Sequence, residues 1–270
     1  MPTIVHLSDL HVSERPDHRF NVRLAGIVRW IIARYPGERP IVVVTGDLVD
    51  DGTQEQYEQL VDLLAPLKGA GFRILAVPGN HDSGPMGNAY YASSRVYFQR
   101  YVVAGLMGIS VADSASDLMD ALYPLVHRID GVTYIGLDSV AGMIFAGMHF
   151  ARGAIGAAQL AKLKAILDHE DGKQPIVVYL HHHPRDRKFT LALRDAHALR
   201  KTLADRCTLL LFGHRHRSET WPGGVSPLIA ERVELAAGRT TEASESQRCE
   251  VREACLVDGT CVVNRLQIPV

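Results

Sequence analysis

The sequence predicts an α/β fold, with a largely parallel central sheet and helices packed outside it. Two observations lead there. Short β-branched runs alternate with longer amphipathic stretches through residues 1–82, and each apolar run stops at a cluster of polar side chains. Alternation of this kind favours parallel strands joined by crossover helices. Sites in open α/β sheets form beyond the carboxyl ends of strands, so clusters at several exits can converge.

The elements follow in order. Ile4 to Leu7 is an apolar run that ends in Ser8-Asp9-Leu10-His11. Residues 21–34 place Val22, Ala25, Ile27, Val28, Ile31 and Ile32 at near-helical spacing, and Pro36, Gly37 and Pro40 then break the chain. Ile41 to Val44 reads as a buried strand that stops at Thr45-Gly46-Asp47. Residues 54–68 form a second amphipathic helix, with Tyr57, Leu60, Val61, Leu64 and Leu67 on one side. Ile74 to Val77 is a third strand, ending at Pro78-Gly79-Asn80-His81-Asp82. Residues 83–130 lose this alternation and are expected to form an excursion over the site. Val132 to Leu137 resumes strand character before Asp138-Ser139, and residues 157–169 are helical in phase. Ile176 to Leu180 ends in His181-His182-His183-Pro184, and Cys207 to Phe212 ends in Gly213-His214-Arg215-His216. Residues 221–270 suit antiparallel strands, expected to complete a second sheet or to form a subunit contact.

The bulk numbers exclude several classes. With 270 residues, 47% of them hydrophobic, one domain over 1–270 can bury a sizeable core. A formal net charge of -1 gives no general pull toward nucleic acid or membranes. The N-terminus has no basic leader and long apolar segment, and no spanning helix is expected, so a cytoplasmic location is. Cys249, Cys255 and Cys261 lack the paired spacing of a zinc site and read as reduced structural thiols.

Five clusters share one grammar, an apolar strand followed by metal-capable side chains. They are Asp9 with His11, Asp47, Asn80 with His81, the triple histidine, and His214 with His216. Asp-X-His puts both side chains on one side if extended geometry continues past the strand. Carboxylate, imidazole and amide together suit manganese, iron or zinc, and are too nitrogen-rich for calcium. Gly46, Gly79 and Gly213 precede Asp47, Asn80 and His214, where the chain must turn sharply or approach closely. One such motif is most often a surface turn, but five at strand exits are not.

In that order, Ser8-Asp9-Leu10-His11, Gly46-Asp47-Leu48-Val49-Asp50, Gly79-Asn80-His81-Asp82, His182-His183-Pro184 and Gly213-His214-Arg215-His216 resemble the signature of the calcineurin-like metallophosphoesterases. The resemblance covers about residues 3–220 and is specific because five motifs recur together. It implies a four-layer α/β/β/α sandwich of two mixed sheets flanked by helices, around two divalent or mixed-valence metal ions. By the same resemblance, Asp9, His11 and His216 hold one ion, Asn80, His182 and His214 hold the other, and Asp47 bridges them. His182 is selected over His181 and His183 by its place two positions before Pro184. Asp50 and Asp82 would orient these ligands. His81, next to the ligand Asn80, would contact the phosphate and protonate the leaving oxygen, making His81, Asn80 and Asp47 the expected catalytic set.

The implied reaction is hydrolysis of a phosphodiester by a hydroxide bridging the ions. The run from Asp9 to Asn80 is similar to the bacterial class III cyclic nucleotide phosphodiesterases, which makes a 3′,5′-cyclic nucleotide the first substrate to test. Asp82-Ser83-Gly84 departs from the Asp-Arg of many members of that subgroup. Other small phosphoesters, such as a glycerophosphodiester or a nucleotide, remain alternatives, with a nuclease or a non-catalytic scaffold behind them. The expected partner is a small phosphodiester; a homo-oligomer is left open. Tyr90, Tyr91, Arg95, Tyr97 and Arg100 of the excursion could meet the substrate or bury one helix face, and Arg185, Arg187 and Lys188 either meet its charge or form a solvated loop.

Overall fold

The β-branched runs become central strands because neighbours cover both of their faces: every residue of Ile41–Thr45 and Ile74–Val77 is buried. In a computed structural model the strands are β1 (Thr3–Leu7), β2 (Ile41–Thr45), β3 (Ile74–Val77), β4 (Leu125–Ile129), β5 (Val132–Gly136) and β6 (Ile176–Tyr179). They continue with β7 (Leu209–Phe212), β8 (Glu219–Gly223), β9 (Ile229–Ala230), β10 (Arg232–Ala236), β11 (Arg248–Val257) and β12 (Thr260–Pro269). The helices are α1 (Arg19–Arg34), α2 (Gln54–Gly69), α3 (Ala92–Tyr97), α4 (Met119–Leu122), α5 (Ala157–His169) and α6 (Ala196–Leu203). A π-helical stretch, Phe98–Leu106, continues α3. The structure describes residues 2–87, 89–111, 119–140, 151–170, 172, 174–186, 188, 190–204, 206–223, 229–230, 232–244, 247–257 and 259–269.

Two six-stranded sheets result, in the orders β3-β2-β1-β11-β12-β9 and β4-β5-β6-β7-β10-β8. Both are mixed. β1, β2 and β3 run parallel, as do β5, β6, β7 and β10, while β11 is antiparallel to β1 and β8 to β10. Alternating side chains of the second sheet separate two cores. Val177, Tyr179, Leu209 and Leu211 join the core shared with the first sheet, while Val178, Leu180, Leu210 and Phe212 face Leu163, Leu167, Leu199 and Leu203 of α5 and α6. On the other side α1 buries Leu24, Ile27, Val28 and Ile31, spaced three or four apart. Val22, counted with that face from spacing, is 57% exposed. Thr53 caps α2 by accepting from the Gln56 N–H, which starts the helix at Gln54. This is the four-layer α/β/β/α sandwich of two mixed sheets that the resemblance implies.

Two expectations change. The C-terminal strands do not all go to the second sheet. β8 and β10 join it, but the long β11–β12 hairpin pairs with β1 in the first sheet, because the edge of β1 away from β2 needs a partner. Residues 224–228 of that tail lie outside the described residues. The excursion 83–130 also differs. β4 lies within it and pairs with β5. Its helical part packs on α2, where Tyr101 stacks on Tyr57 with ring centroids 6.3 Å apart and Phe98 meets the same ring edge-on. Pro85–Gly87 is the part that reaches the strand exits, where Gly87 O accepts from Asn80 Nδ2 at 3.2 Å. Residues 112–118 of the excursion lie outside the described residues.

Arg95 is 1% exposed and donates to Asp138, itself fully buried, at 2.9 Å. It therefore ties α3 to the exit of β5 and is not available to a substrate. Removing one partner of such a buried pair costs on the order of 3–5 kcal/mol, since the other charge stays buried.

Candidate metal centre

The loops after β1 and β2 run side by side. Asp9 N donates to Gly46 O, His11 N to Asp47 O and Val12 N to Leu48 O, each at 3.0 Å. The backbone there is not extended, as Asp-X-His had suggested. Asp9, His11 and Asp47 take φ values of 53°, 47° and 50°, and His214 and His216 take 73° and 53°. A left-handed conformation at a residue with a side chain costs roughly 1–3 kcal/mol and persists only where the surroundings impose it. At alternate positions it turns both side chains of each Asp-X-His or His-X-His pair inward.

Three groups of donors form among the described residues, one of them His11, Asp50 and His81, and the other two share Asp47. In the first of those two, Asp9, His11, Asp47 and His216 bring one ligand atom each within 4.8 Å of one another. His216 Nε2 lies 3.3 Å from Asp9 Oδ1, and His11 Nε2 lies 3.9 Å from Asp47 Oδ2. In the second, Asp47, His181 and His214 converge. His181 Nε2 is 3.2 Å from Asp47 Oδ2, 3.1 Å from Asn80 Oδ1 and 3.1 Å from His214 Nδ1. Asp47 belongs to both groups.

His181 joins this second group, next to the expected ligand His182. Successive residues leaving β6 point to opposite faces. His181 shares the parity of Val177 and Tyr179, which face the first sheet and so face Asp47. His182 has the parity of Val178 and Leu180, and its Nδ1 meets Ser139 Oγ at 2.8 Å, yet its ring lies 4.6 Å from that of His214 and its Nε2 is buried without a hydrogen-bond partner. His183 packs on the rings of Phe212 and Trp221, with centroids 4.7 and 5.4 Å away.

Partners on the far ring nitrogens set which atoms face inward. His11 Nδ1 lies 3.0 Å from Asp50 Oδ1, and His181 Nδ1 lies 2.8 Å from Thr45 O. Donation from each Nδ1 leaves each Nε2 lone pair aimed at the carboxylates. His11 Nε2 and Asp9 Oδ1 are buried and have no hydrogen-bond partner. Ring nitrogens and carboxylates gathered in a buried place, several of them without a hydrogen-bond partner, fit a divalent cation, and imidazole mixed with carboxylate suits a transition metal.

Burial and neighbouring charge pull these groups in opposite directions. Burial would raise the Asp47 carboxyl, but the charge and hydrogen bond of His181 hold it well below the usual range. Burial would lower His181, yet Asp47 and Asp9 push it up to about 9. Burial, followed by the charge of His181, lowers His214 to about 3. Asp82 is raised to about 7 by burial and the charge of Asp47. Its carboxyl group still accepts from the N–H groups of Gly79, Leu48 and Val49 at 2.8, 2.9 and 3.1 Å, and so binds the β2 and β3 exits together.

The glycines serve close approach as well as turning. Gly46 has φ +78°. A Cβ at Gly79 would stand 2.2 Å from Asp47 Oδ1, and one at Gly213 would stand 1.8 Å from Ser8 Oγ. No side chain can be accommodated at either place without moving the donors.

The family model for calcineurin-like phosphoesterases matches residues 2–218. The chain belongs to that family. Among relatives of this calcineurin-like chain, a probable cyclic nucleotide phosphodiesterase of Rhodococcus erythropolis is 29% identical over 230 residues, covering 80% of this chain and 65% of the relative. A second protein of that description, from Coxiella burnetii, is 31% identical over 80 residues, which is 29% of this chain and 31% of the relative. The chain thus spans less than two thirds of the length of either. Among solved structures, the phosphopantetheinyl hydrolase of Mycobacterium tuberculosis has a TM-score of 0.50 at 18% identity, covering 88% of this chain and 89% of that one. A 5′-nucleotidase precursor of Thermus thermophilus has a TM-score of 0.52 at 15% identity, covering 100% of this chain and 54% of that one. At those identities the structures show the fold.

Around this calcineurin-like centre, the structure brings Asp9, His11, Asp47, Asn80, His214 and His216 together, with His182 against the ring of His214. His81 stands at the edge, its ring 4.6 Å from that of His11. Sequence reading passed over Thr45 and Ser139, whose roles rest on a carbonyl and a hydroxyl. Of the basic residues after the histidines, Arg185 pairs with Glu234 and lies 5.4 Å over Trp221, and Arg187 is outside the described residues. Among the described residues no helix is long and apolar enough to cross a membrane.

Proposed function

We propose that this chain hydrolyses a small phosphodiester, with a 3′,5′-cyclic nucleotide as the first candidate, at two divalent metal ions. The observation that carries the reading is Asp47, one carboxylate shared by two donor groups in which Asp9 Oδ1, His11 Nε2 and His214 Nε2 are buried without a partner. Asp9, His11, Asp47 and His216 would hold one ion, and Asp47, Asn80, His181 and His214 the other. Manganese, iron and zinc match these donors. When bound, such a pair supplies an ionised water near neutral pH and neutralises charge on the phosphoryl oxygens. Two dications against Asp9 and Asp47 leave net positive charge, which favours an anionic ester without separating diesters from monoesters. Free thiols at Cys249, Cys255 and Cys261 support a reducing, cytoplasmic setting.

The chain's own groups handle the proton. His81 N donates to Asp47 Oδ1 at 2.9 Å, and His81 Nδ1 lies 2.7 Å from Asp50 O. Donation to that carbonyl fixes the ring and leaves Nε2 to carry a proton to the leaving oxygen. In balance, the water gives one proton to solvent and its oxygen joins phosphorus, the phosphorus–oxygen bond to the leaving alkoxide breaks, and the alkoxide takes a proton from His81, which solvent restores.

The test is one assay of the manganese-loaded chain on cyclic AMP, bis-p-nitrophenyl phosphate and p-nitrophenyl phosphate. Diester hydrolysis is expected to exceed monoester hydrolysis by about tenfold or more in kcat/KM, the size of one charge-assisted contact, and to vanish with a chelator. Preference for the monoester, or activity that survives chelation, would overturn the reading. Elemental analysis tests the ligand set: His181→Ala is expected to lower metal content from two ions to one per chain, while His182→Ala keeps both. The opposite result would restore His182 as ligand.

A further inference from the structure

β10 runs parallel to β7, so it delivers its exit to the same end of the sheet as the metal-ligating loops. That exit reads Ala237-Gly238-Arg239-Thr240-Thr241. It is sewn to the loop that carries Asp9 and His11. Ser8 N donates to Thr240 Oγ1 at 2.9 Å, Thr240 N donates to Ser8 O at 3.0 Å, and Thr241 Oγ1 donates to Leu10 O at 2.9 Å. Arg239 is therefore held beside the first donor group.

Its side chain is placed rather than loose. The guanidinium lies 4.2 Å over the Phe20 ring, and Phe20 is 6% exposed. Its Nε is buried without a hydrogen-bond partner. Its charge is nonetheless felt by His11, Asp50 and His216. Glu242, Asp9, Asp50 and Asp47 also act on it from beyond contact distance, so a partly desolvated guanidinium keeps donors that an anion can meet. From Arg239 an open groove of about 680 Å³ leads away from His216, and Arg217, Arg248 and Arg265 line it with Arg239 against three glutamates. With two dications in the centre, the scissile phosphate already has its counter-charge. The guanidinium is left for a second anion.

We propose that Arg239 is a specificity-determining residue that binds a second phosphate of the substrate, carried in the groove beside His216. This rests on the phosphodiesterase reading above and narrows it, from a singly charged cyclic nucleotide toward a phosphodiester that bears a further phosphate. Planar guanidinium donors suit two phosphate oxygens, which a lysine ammonium meets only as a point charge.

The experiment compares two esters with the same scissile group, thymidine 5′-(p-nitrophenyl phosphate) with and without a 3′-phosphate. The metal-loaded parent chain is expected to favour the 3′-phosphorylated ester by about tenfold in kcat/KM, the worth of one charge-assisted pair. Arg239→Gln should bring that ratio close to one, and Arg239→Lys should keep part of it. Calorimetry supplies a readout apart from turnover: thymidine 3′,5′-bisphosphate should bind the parent about tenfold more tightly than thymidine 5′-monophosphate, and Arg239→Gln should erase the difference. A parent without preference in either measurement, or a preference unchanged in Arg239→Gln, would overturn the proposal. Arg239-dependent binding without hydrolysis of either ester would sink the phosphodiesterase reading and leave this one standing. Hydrolysis with no Arg239-dependent preference would do the reverse.

Discussion

Asp47→Ala is expected to yield a folded chain that holds fewer than one metal ion per molecule and loses about a thousandfold or more in kcat/KM, since each ion contributes several kcal/mol at the transition state. The size follows from position. Asp47 Oδ2 faces His181 Nε2 at 3.2 Å and His11 Nε2 at 3.9 Å, so one carboxylate completes both donor groups. No neighbour can replace it. Gly79, whose side chain would have filled the space, carries none. The same substitution removes the charge that most raises His181 and the first electrostatic cause of the raised Asp82. Elemental analysis beside steady-state kinetics checks it, with circular dichroism to confirm the fold. Two ions retained in the variant would show that Asp47 bridges nothing.

His81→Ala is expected to behave differently: both ions stay, and kcat falls by about 10²–10⁴-fold, the range for loss of a positioned proton donor. His81 reaches Asp47 through its backbone N–H, which alanine retains. The side chain's own anchor is the Asp50 carbonyl at 2.7 Å, which leaves metal ligation untouched when the ring goes. The loss should shrink for esters with good leaving groups, because a p-nitrophenolate needs little protonation. An equal loss on good and poor leaving groups would argue that His81 binds the phosphate without giving up a proton.

How legible the centre was depends on how local each piece is. Asp9, His11, Asp47, Asn80, His214 and His216 each follow their own strand by a few residues, so an apolar run and the polar stop after it are enough to mark them. Their backbone conformation was not legible. Extended geometry was the natural expectation for Asp-X-His, and left-handed φ at Asp9 and His11 is imposed by the neighbouring loop of β2 through hydrogen bonds over long sequence separation. The histidine triplet shows the limit most sharply. Period-two alternation makes His181 and His182 opposite in facing, but which face of β6 meets the first sheet is a matter of how two sheets stack.

Arg95 shows the same limit from the other side. In sequence it is an arginine among tyrosines and suits a phosphate as well as a core. Only the packing of α3 beside the exit of β5 brings Asp138 within 2.9 Å and closes it off. Arg239 is the converse. Nothing in Gly238-Arg239-Thr240 marks a site until β10 is found parallel to β7, because pairing between distant strands has no signature in either strand alone. Local patterns of hydrophobicity, turn chemistry and donor type thus specified the alternating fold and most of the donors, since those patterns act within a few residues. Sheet stacking and strand order decided that His181 faces Asp47, that Arg95 is structural and that Arg239 stands beside the first donor group, since those depend on contacts that only the closed chain makes.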